Sequence, residues 1–330
     1  MTLHKKEICL HFSDFPGGTN IDFISKLLKK RYEITFSDTS PDYVIHSVFG
    51  NDFLRYGDAV RICFIGENVR PDFNLCDFAF SFDWLGYEDR HFRAPNFVLY
   101  PQWDDVLSRK RSTINNLNDK PDFCNFIYTN GNGHPHRVSF FHFLNARKKV
   151  ESFGRFLRNS DRTIDAPYAG DWSQSKVEAQ KSFRFSIAFE NSETPGYTTE
   201  KIVHALSADT IPIYWGDPFV GRIFNPGRFI NVRELGFEGA VDRIEYLEQN
   251  PDALLETLNA PFFSEDAPLD CLTKDALLDA FSYIFDQPTQ SALRRERFLW
   301  GPRYETTRKY ESSAYRRLAR IQKFIPWSII

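Results

Sequence analysis

The chain has 330 residues, of which 42% are hydrophobic and 16% aromatic, and this is enough apolar material for two packed domains. Its formal net charge of −3 excludes a general electrostatic attraction to nucleic acid. The charge is uneven, because residues 291–330 carry ten Lys or Arg against three Glu. That leaves a net charge of about −10 on the first 290 residues, so the basic tail is a separate feature.

The N-terminus and the cysteines predict a cytoplasmic protein. Residues 1–7 lead directly into a short strand-like segment without the apolar core of a secretory signal. No apolar run reaches the length of a transmembrane helix. The five cysteines are odd in number and widely spaced, which is typical of reduced core residues and not of a disulfide framework or a zinc site.

The first third of the chain alternates short apolar strands with helical stretches. Strands are predicted at residues 8–12, 43–48, 60–65 and 78–82, and a helix at residues 23–30. Such alternation favours a mostly parallel sheet covered by helices.

A polar stretch without periodicity, residues 104–121, predicts a linker. A second run of the same strand and helix type follows it. Strands are predicted at residues 123–128, 183–189 and 210–215, and helices at residues 138–148, 200–208 and 238–247. The pattern favours an α/β protein with two doubly wound halves and a cleft between them. Ligands of such sheets bind at the carboxyl ends of the strands.

Residues 183–202 predict a strand, a turn-rich loop and a helix. Pro195-Gly196 marks the turn, and Thr198 or Thr199 is placed to cap the helix. A helix N-terminus with a lysine nearby suits a phosphate-bearing ligand, because free amides and the helix dipole favour negative charge there. A capped helix after a strand is also common, so on spacing alone a purely structural role stays open.

The complete string of this region is more specific than its spacing. Phe-Glu-Asn-Ser at residues 189–192 precedes Gly-Tyr-Thr-Thr-Glu-Lys-Ile at residues 196–202, and Thr-Ile-Pro-Ile-Tyr-Trp-Gly-Asp-Pro occupies residues 210–218. This pattern closely resembles the defining motif of the α1,3-fucosyltransferases, glycosyltransferase family 10, which has bacterial members.

The resemblance continues upstream and covers roughly residues 60–232. It includes a strand at residues 123–130, an Arg-x-x-Phe-Phe helix at residues 137–144, and a strand end at residues 149–155 in which Glu151 replaces the family's aspartate. Further upstream, residues 66–74 and 77–83 resemble the family's acceptor-side motif.

The resemblance implies a GT-B-like fold of two Rossmann-type domains. We expect an acceptor-side domain at residues 1–118, a GDP-fucose-binding domain at residues 119–290, and a basic C-terminal helical segment at residues 291–330. The implied activity is inverting transfer of L-fucose from GDP-fucose to a GlcNAc-containing oligosaccharide or glycolipid, such as N-acetyllactosamine or a Lewis-type lipopolysaccharide glycan. A transferase for another GDP-sugar and a non-catalytic glycan-binding scaffold are the alternatives.

The resemblance also assigns donor-binding roles. It implies that Arg137 and Lys201 contact the diphosphate, where cations stabilise the charge that grows on the leaving group. It assigns the ribose hydroxyls to Glu200 and places Asn191 and Tyr197 in the donor pocket. Without the resemblance, the favoured interpretation of Arg137 is a solvent-exposed charge after a flexible loop.

Glu190 is predicted to satisfy loop amides at its strand end, without a part in catalysis. Metal binding is not expected to be required. No Asp-x-Asp signature occurs in the 330 residues, so a protein-cation site is favoured over a metal site, although a divalent ion that stimulates activity is not excluded. His134 and His136 have metal-ligand spacing, but no third ligand is in view.

The general base of an inverting reaction must lie across from the leaving group. Glu67 is our prediction, because it follows an apolar strand at its carboxyl end and matches the catalytic glutamate of the resembling bacterial enzymes. Asn68 and Asp83 are acceptor-side candidates, and Asp83 has a turn-capping role as its alternative.

The C-terminal tail predicts a basic amphipathic helix at residues 314–325. Ala314, Leu318, Ile321 and Ile325 fall on one stripe, with Arg316, Arg317, Arg320 and Lys323 opposite. Such a helix favours peripheral attachment to an anionic surface, here the inner face of the cytoplasmic membrane. Packing of the helix on the protein is the alternative.

Overall fold

The structure is a computed structural model that describes residues 5–164 and 172–322. The chain divides into two compact units. The first unit contains residues 1–81, 85–93 and 274–330, and the second contains residues 82–84 and 94–273.

The first unit is built on a six-stranded, all-parallel sheet with the strand order β2-β1-β3-β4-β5-β6. Its strands are β1 (Lys6–Ser13), β2 (Tyr32–Phe36), β3 (Tyr43–His46), β4 (Val60–Phe64), β5 (Phe78–Ser81) and β6 (His91–Arg93). Its helices are α1 (Thr19–Leu28), α8 (Lys274–Phe285), α9 (Thr289–Ala292) and α10 (Trp300–Gln322). Every residue of β3, β4 and β5 is buried, as expected for central strands of a parallel sheet.

The second unit has a five-stranded, all-parallel sheet with the order β11-β10-β9-β7-β8. Its strands are β7 (Asp122–Phe126), β8 (Glu151–Ser152), β9 (Phe183–Phe189), β10 (Ile211–Trp215) and β11 (Ile230–Asn231). Its helices are α2 (Pro101–Arg109), α3 (His136–Asn145), α4 (Trp172–Gln180), α5 (Glu200–Ser207), α6 (Val232–Gln249) and α7 (Pro251–Asn259).

Both sheets reverse their winding direction beside their first strand. The chain steps from β1 to β2 on one side and to β3 on the other, and likewise from β7 to β8 and to β9. A reversal of this kind opens a crevice at the carboxyl ends of the two strands that flank it, which is where ligands of open α/β sheets bind. The predicted strands and helices and the doubly wound α/β class are confirmed.

The predicted linker at residues 104–121 is wrong. Residues 104–109 lie in α2, whose Trp103 and Val106 are fully buried, and Lys120 donates from Nζ to the carbonyls of Lys181 and Ala208 at 2.6 and 2.7 Å. The stretch looked unstructured because its buried polar groups are satisfied by contacts distant in sequence, which no local pattern reveals.

The two compact units are divided differently from the predicted ranges. Residues 94–118 cluster with the second unit, and residues 274–290 cluster with the first. The chain therefore returns to its first unit after the second is complete.

Two buried charges hold this returning segment in the first unit. Asp77, fully buried, accepts from the backbone amides of Arg294 and Arg295 at 2.8 and 2.9 Å and pairs with the Arg295 guanidinium. Arg61, fully buried on β4, makes a bidentate pair with Glu305 of α10, at 2.9 and 3.0 Å. Each pair joins the sheet to a part of the chain more than 200 residues away.

The predicted tail helix begins inside α10, which continues to Gln322. The side chains from residue 312 onward, which carry the predicted stripe and its basic face, lie outside the described part of the structure, as do residues 323–330 entirely. In the part of the chain that is described, no helix combines the length and apolarity needed to cross a bilayer.

Glu305→Gln should lower the free energy of unfolding by about 2–4 kcal/mol at pH 7, because it leaves the guanidinium of Arg61 buried without its counter-charge. Burial alone would raise the pKa of Glu305, but hydrogen bonding from Arg61 outweighs it and lowers this pKa to about 2. In an unfolded chain the pKa of a glutamate is roughly 4.3. The stabilisation is therefore complete above about pH 4.3 and lost as the pH falls toward 2. Urea unfolding at several pH values measures it.

Glu311→Gln is the matched control, since Glu311 pairs with Arg308 on the solvent side of the same helix and exposed pairs contribute little. Equal stability of the two variants at pH 7 would contradict the role given to Glu305.

Candidate functional site

The winding reversal of the second unit lies between β7 and β9, and polar side chains gather at the carboxyl ends of these strands. Ile127 and Tyr128 follow β7, and Glu190 and Asn191 follow β9. We call the group formed by Arg137, Glu190, Asn191, Glu200 and Lys201 the switch-point cluster.

Glu190 is the fully buried anchor of this cluster. Its carboxylate accepts from the Thr199 backbone amide at 2.8 Å, the Thr199 hydroxyl at 2.6 Å and the Lys201 ammonium at 3.2 Å. The prediction that Glu190 satisfies loop amides is confirmed. Gly216 (φ 151°) permits this packing, because a Cβ there would lie 2.5 Å from the Glu190 Cγ.

The start of α5 differs from the sequence prediction. The Thr199 hydroxyl donates to Glu190, the Thr198 hydroxyl donates to Asp217 at 2.9 Å, and α5 has no side-chain cap. The capping prediction is therefore wrong, because these hydroxyls are used by buried carboxylates. Asp217 also accepts from the Gly196 amide at 2.7 Å and so orders the turn before the helix.

Lys201 and Glu200 project from the first turn of α5 and are about nine-tenths buried, with 12% and 13% of their side chains exposed. Burial opposes the charge on Lys201, but the carboxylates of Glu190 and Glu200 outweigh it and raise the ammonium pKa. Burial likewise opposes the charge on Glu200, but Lys201 and its cationic surroundings lower the pKa to about 2. Both groups are charged at neutral pH.

Arg137, 2% exposed on the first turn of α3, faces the same loop. Its guanidinium donates to the Asn191 side-chain oxygen and lies 4.4 Å from the Tyr128 ring centroid. Its Nε is buried without a partner among the described residues. The alternative of a solvated charge is wrong, because the preceding loop folds over the side chain: a Cβ at Gly133 would lie 2.7 Å from the guanidinium.

Tyr197 and Asp83 are neighbours in the second unit. Tyr197 is 3% exposed and packs edge-on against Phe82, with ring centroids 5.2 Å apart, while Asp83 is 7% exposed. A Cβ at Gly196 would lie 2.7 Å from the Phe82 carbonyl. Asp83 therefore belongs beside the loop that carries Tyr197.

Glu67 and Asn68 lie in the first unit, just beyond the carboxyl end of β4. Glu67 is exposed, and its carbonyl accepts from the Val69 amide at 2.8 Å. The structure thus gathers Arg137, Asn191, Tyr197, Glu200 and Lys201 in one unit and places Glu67 and Asn68 in the other.

A cavity of about 350 Å³ lies beside the carboxyl end of β10. Its walls include the aromatic rings of His136, Trp215 and Phe237 and the ion pair of Glu193 with Arg233, at 2.8 Å. His134 and His136 stack with ring centroids 4.4 Å apart and both contact Trp215. Among the described residues, no group of three His, Cys, Asp or Glu has an arrangement that could hold a metal ion.

The sequence did not predict that His136 and Trp215 line a cavity with Phe237, and it did not identify Lys176 of α4. Lys176 is 8% exposed, and its surroundings are charged groups of the switch-point cluster. Its helix is short and polar, so neither periodicity nor a motif marked it.

The structure resembles solved structures of α1,3-fucosyltransferase. One with GDP and one with GDP-fucose match at TM-scores of 0.72 and 0.70, each with 25% identity over 90% of this chain and 95% of the other. This likeness confirms the predicted GT-B-like fold class.

Curated relatives agree with the structural match. An alpha-(1,3)-fucosyltransferase of Helicobacter pylori is 32% identical over 276 residues, which is 70% of this chain and 54% of that protein. A putative fucosyltransferase of Acanthamoeba polyphaga mimivirus is 25% identical over 247 residues, or 72% of this chain and 40% of that protein. The chain spans about half the length of these relatives.

Two family models cover most of the chain. The alpha-(1,3)-fucosyltransferase FucT N-terminal domain matches residues 10–100, and the C-terminal domain of glycosyltransferase family 10 (fucosyltransferase) matches residues 117–259. The chain therefore belongs to glycosyltransferase family 10, the fucosyltransferase family.

Proposed function

We propose that the chain is an inverting α1,3- or α1,3/1,4-fucosyltransferase that moves L-fucose from GDP-fucose to a hydroxyl of a GlcNAc-containing glycan such as N-acetyllactosamine. The observation that carries the proposal is the switch-point cluster, which joins buried cations to an ionised carboxylate at the position where α/β sheets bind ligands. The identity of the donor substrate, GDP-fucose, is inferred from the family relationship.

The switch-point cluster suits a nucleotide diphosphate. Arg137 and Lys201 are cations held by partly buried hydrogen bonds, so they stabilise charge on the departing diphosphate without reorganising first. Glu200 has a pKa of about 2 and is an acceptor for the two ribose hydroxyls. Asn191 accepts a hydrogen bond from the guanidinium of Arg137, and Tyr197 is a further proposed donor-binding residue. This design needs no divalent metal.

Bond formation needs a base on the face of the sugar opposite the diphosphate. In the proposed reaction the acceptor hydroxyl attacks the anomeric carbon of fucose, its proton passes to Glu67, and the bond to the GDP oxygen breaks. Glu67 is exposed at a strand's carboxyl end and so is open to an acceptor. Asn68 and Asp83 are the proposed acceptor-side contacts, and an oligosaccharide or a glycolipid is the acceptor class.

The basic tail is proposed to bind an anionic membrane surface, as suggested by Arg316, Arg317, Arg320 and Lys323 opposite an apolar stripe. This would place a cytoplasmic enzyme at the inner face of the membrane, close to glycolipid acceptors for lipopolysaccharide or Lewis-type glycans.

Incubation with N-acetyllactosamine should release GDP from GDP-fucose and give a product whose 1,3 linkage is read by NMR. EDTA should leave the rate within about twofold, because protein cations neutralise the leaving group. GDP-mannose is the donor control. Turnover with GDP-mannose but not GDP-fucose would replace the proposed donor, and no GDP release with any acceptor of a glycan panel would favour a binding scaffold.

Glu67→Gln should lower kcat by at least about 100-fold, the usual contribution of a general base, and leave the calorimetric Kd for GDP within twofold. Glu33→Gln is the control, since Glu33 is an exposed carboxylate on β2 of the same unit. A Glu67 variant with wild-type turnover would remove this residue from the mechanism.

Removal of residues 311–330 should abolish co-flotation with vesicles that contain anionic phospholipid, because the deleted basic helix supplies the electrostatic attraction. Zwitterionic vesicles should bind neither form. Equal flotation of the full and shortened chains with anionic vesicles would rule out the tail as the membrane anchor.

A further inference from the structure

The helix α4 packs against α5 beside the switch-point cluster. Trp172 at the start of α4 contacts His204 of α5 edge-on, with ring centroids 5.9 Å apart, and Tyr100 contacts the same imidazole at 5.4 Å. Residues four apart share one face of a helix. Lys176, four residues after Trp172, therefore lies on the face of α4 that packs against α5. Glu200, four residues before His204, lies on the face of α5 that packs against α4.

Lys176 is a largely buried cation without a hydrogen-bond or ion-pair partner among the described residues. Only 8% of the residue is exposed, and no hydrogen bond or ion pair to its ammonium occurs within residues 5–164 and 172–322. His204 offers no counter-charge, because an imidazole is either neutral or cationic, and burial and the nearby Lys176 lower its pKa to about 3 and so keep it neutral. A largely buried ammonium without an ion-pair partner is costly to the fold, and a bound anion would offset that cost.

The charges around Lys176 show what that ligand would be. The switch-point cluster contains two cations, Arg137 and Lys201, and two carboxylates, Glu190 and Glu200, so its net charge is zero. Lys176 makes the ensemble positive by one charge. Glu190 and Glu200 both pair with Lys201 and offset the attraction of the cluster for a diphosphate, whereas Lys176 adds a positive charge to it.

We propose that Lys176 is a third diphosphate-binding cation of this site, contacting the nucleotide phosphates alongside Arg137 and Lys201. The inference rests on the proposed function, since it takes a nucleoside diphosphate as the ligand of the cluster. It differs from the family-based assignment in adding a residue from α4, a helix that none of the matched motifs includes.

The protonation of Lys176 follows from its surroundings. The groups that face it are Glu200, Lys201 and His204 of α5, Glu190 at the end of β9, and Arg137 of α3. Burial is the largest influence and lowers the pKa of its ammonium to about 8, with Glu200 opposing the shift and the cations adding to it. A bound diphosphate favours the charged form and raises the pKa of the Lys176 ammonium, so binding at pH 8 should be accompanied by proton uptake.

Calorimetric titration of the full chain with GDP and with guanosine tests the proposal. Lys176→Met should raise the Kd for GDP by about tenfold or more, the usual loss for a charge-assisted contact, and leave the Kd for guanosine within twofold. Lys181→Met is the matched control, because Lys181 pairs with Glu178 in solvent just after the same helix. Its affinity for GDP should equal that of the wild type.

Two further measurements separate ligand binding from a structural role. Titration of the wild type at pH 8 in two buffers of different ionisation enthalpy should show proton uptake with GDP and none with guanosine, and Lys176→Met should abolish it. The melting temperature of the ligand-free Lys176→Met variant should be no lower than that of the wild type, because the variant removes a buried unpaired charge.

The outcomes are distinct. Unchanged GDP affinity in Lys176→Met, or an equal loss for guanosine and GDP, overturns the assignment of Lys176 to the phosphates. Failure of the wild type to bind GDP at all refutes the proposed function itself.

Discussion

The buried carboxylate of Glu190 is the interaction on which the candidate site depends. It sits at the end of β9 with no exposed surface, and it binds both the backbone amide and the hydroxyl of Thr199 together with the ammonium of Lys201. A buried anion must be satisfied by nearby donors. These contacts tie the loop between β9 and α5 to Glu190 and hold the first turn of α5, which carries Glu200 and Lys201.

The same loop also fixes Arg137. Asn191 follows Glu190 directly and accepts from the guanidinium, and Tyr128 packs against it. The Tyr128 hydroxyl in turn accepts from the Phe189 amide at 2.7 Å, so the ends of β7 and β9 are tied together beneath the cluster. Charges held in this way keep their positions when a ligand arrives, which makes their electrostatic effect on it large.

Buried charges are also important in the first unit, where they position the C-terminal segment of the chain. Asp77 and Arg61 are buried charges whose partners come from the C-terminal segment, and the returning chain is held where these charges require it. Breaking either pair would leave a charge without compensation, which costs far more than the pair contributes when intact. Buried ion pairs thus determine the geometry of the candidate site in one unit and the course of the chain in the other.

The sequence was sufficient to predict the strands and helices of the two α/β units, because apolar runs such as Val60–Phe64 and Phe183–Phe189 are local signals. It also identified Arg137, Glu200 and Lys201 as candidates through a motif read along the chain. Three features could be seen only in the folded chain: residues 104–109 form a packed helix, residues 274–322 return to the first unit, and Lys176 lies on a helix that packs against α5. Each of these depends on burial and charge compensation between residues distant in sequence, and such contacts leave no local pattern in the chain.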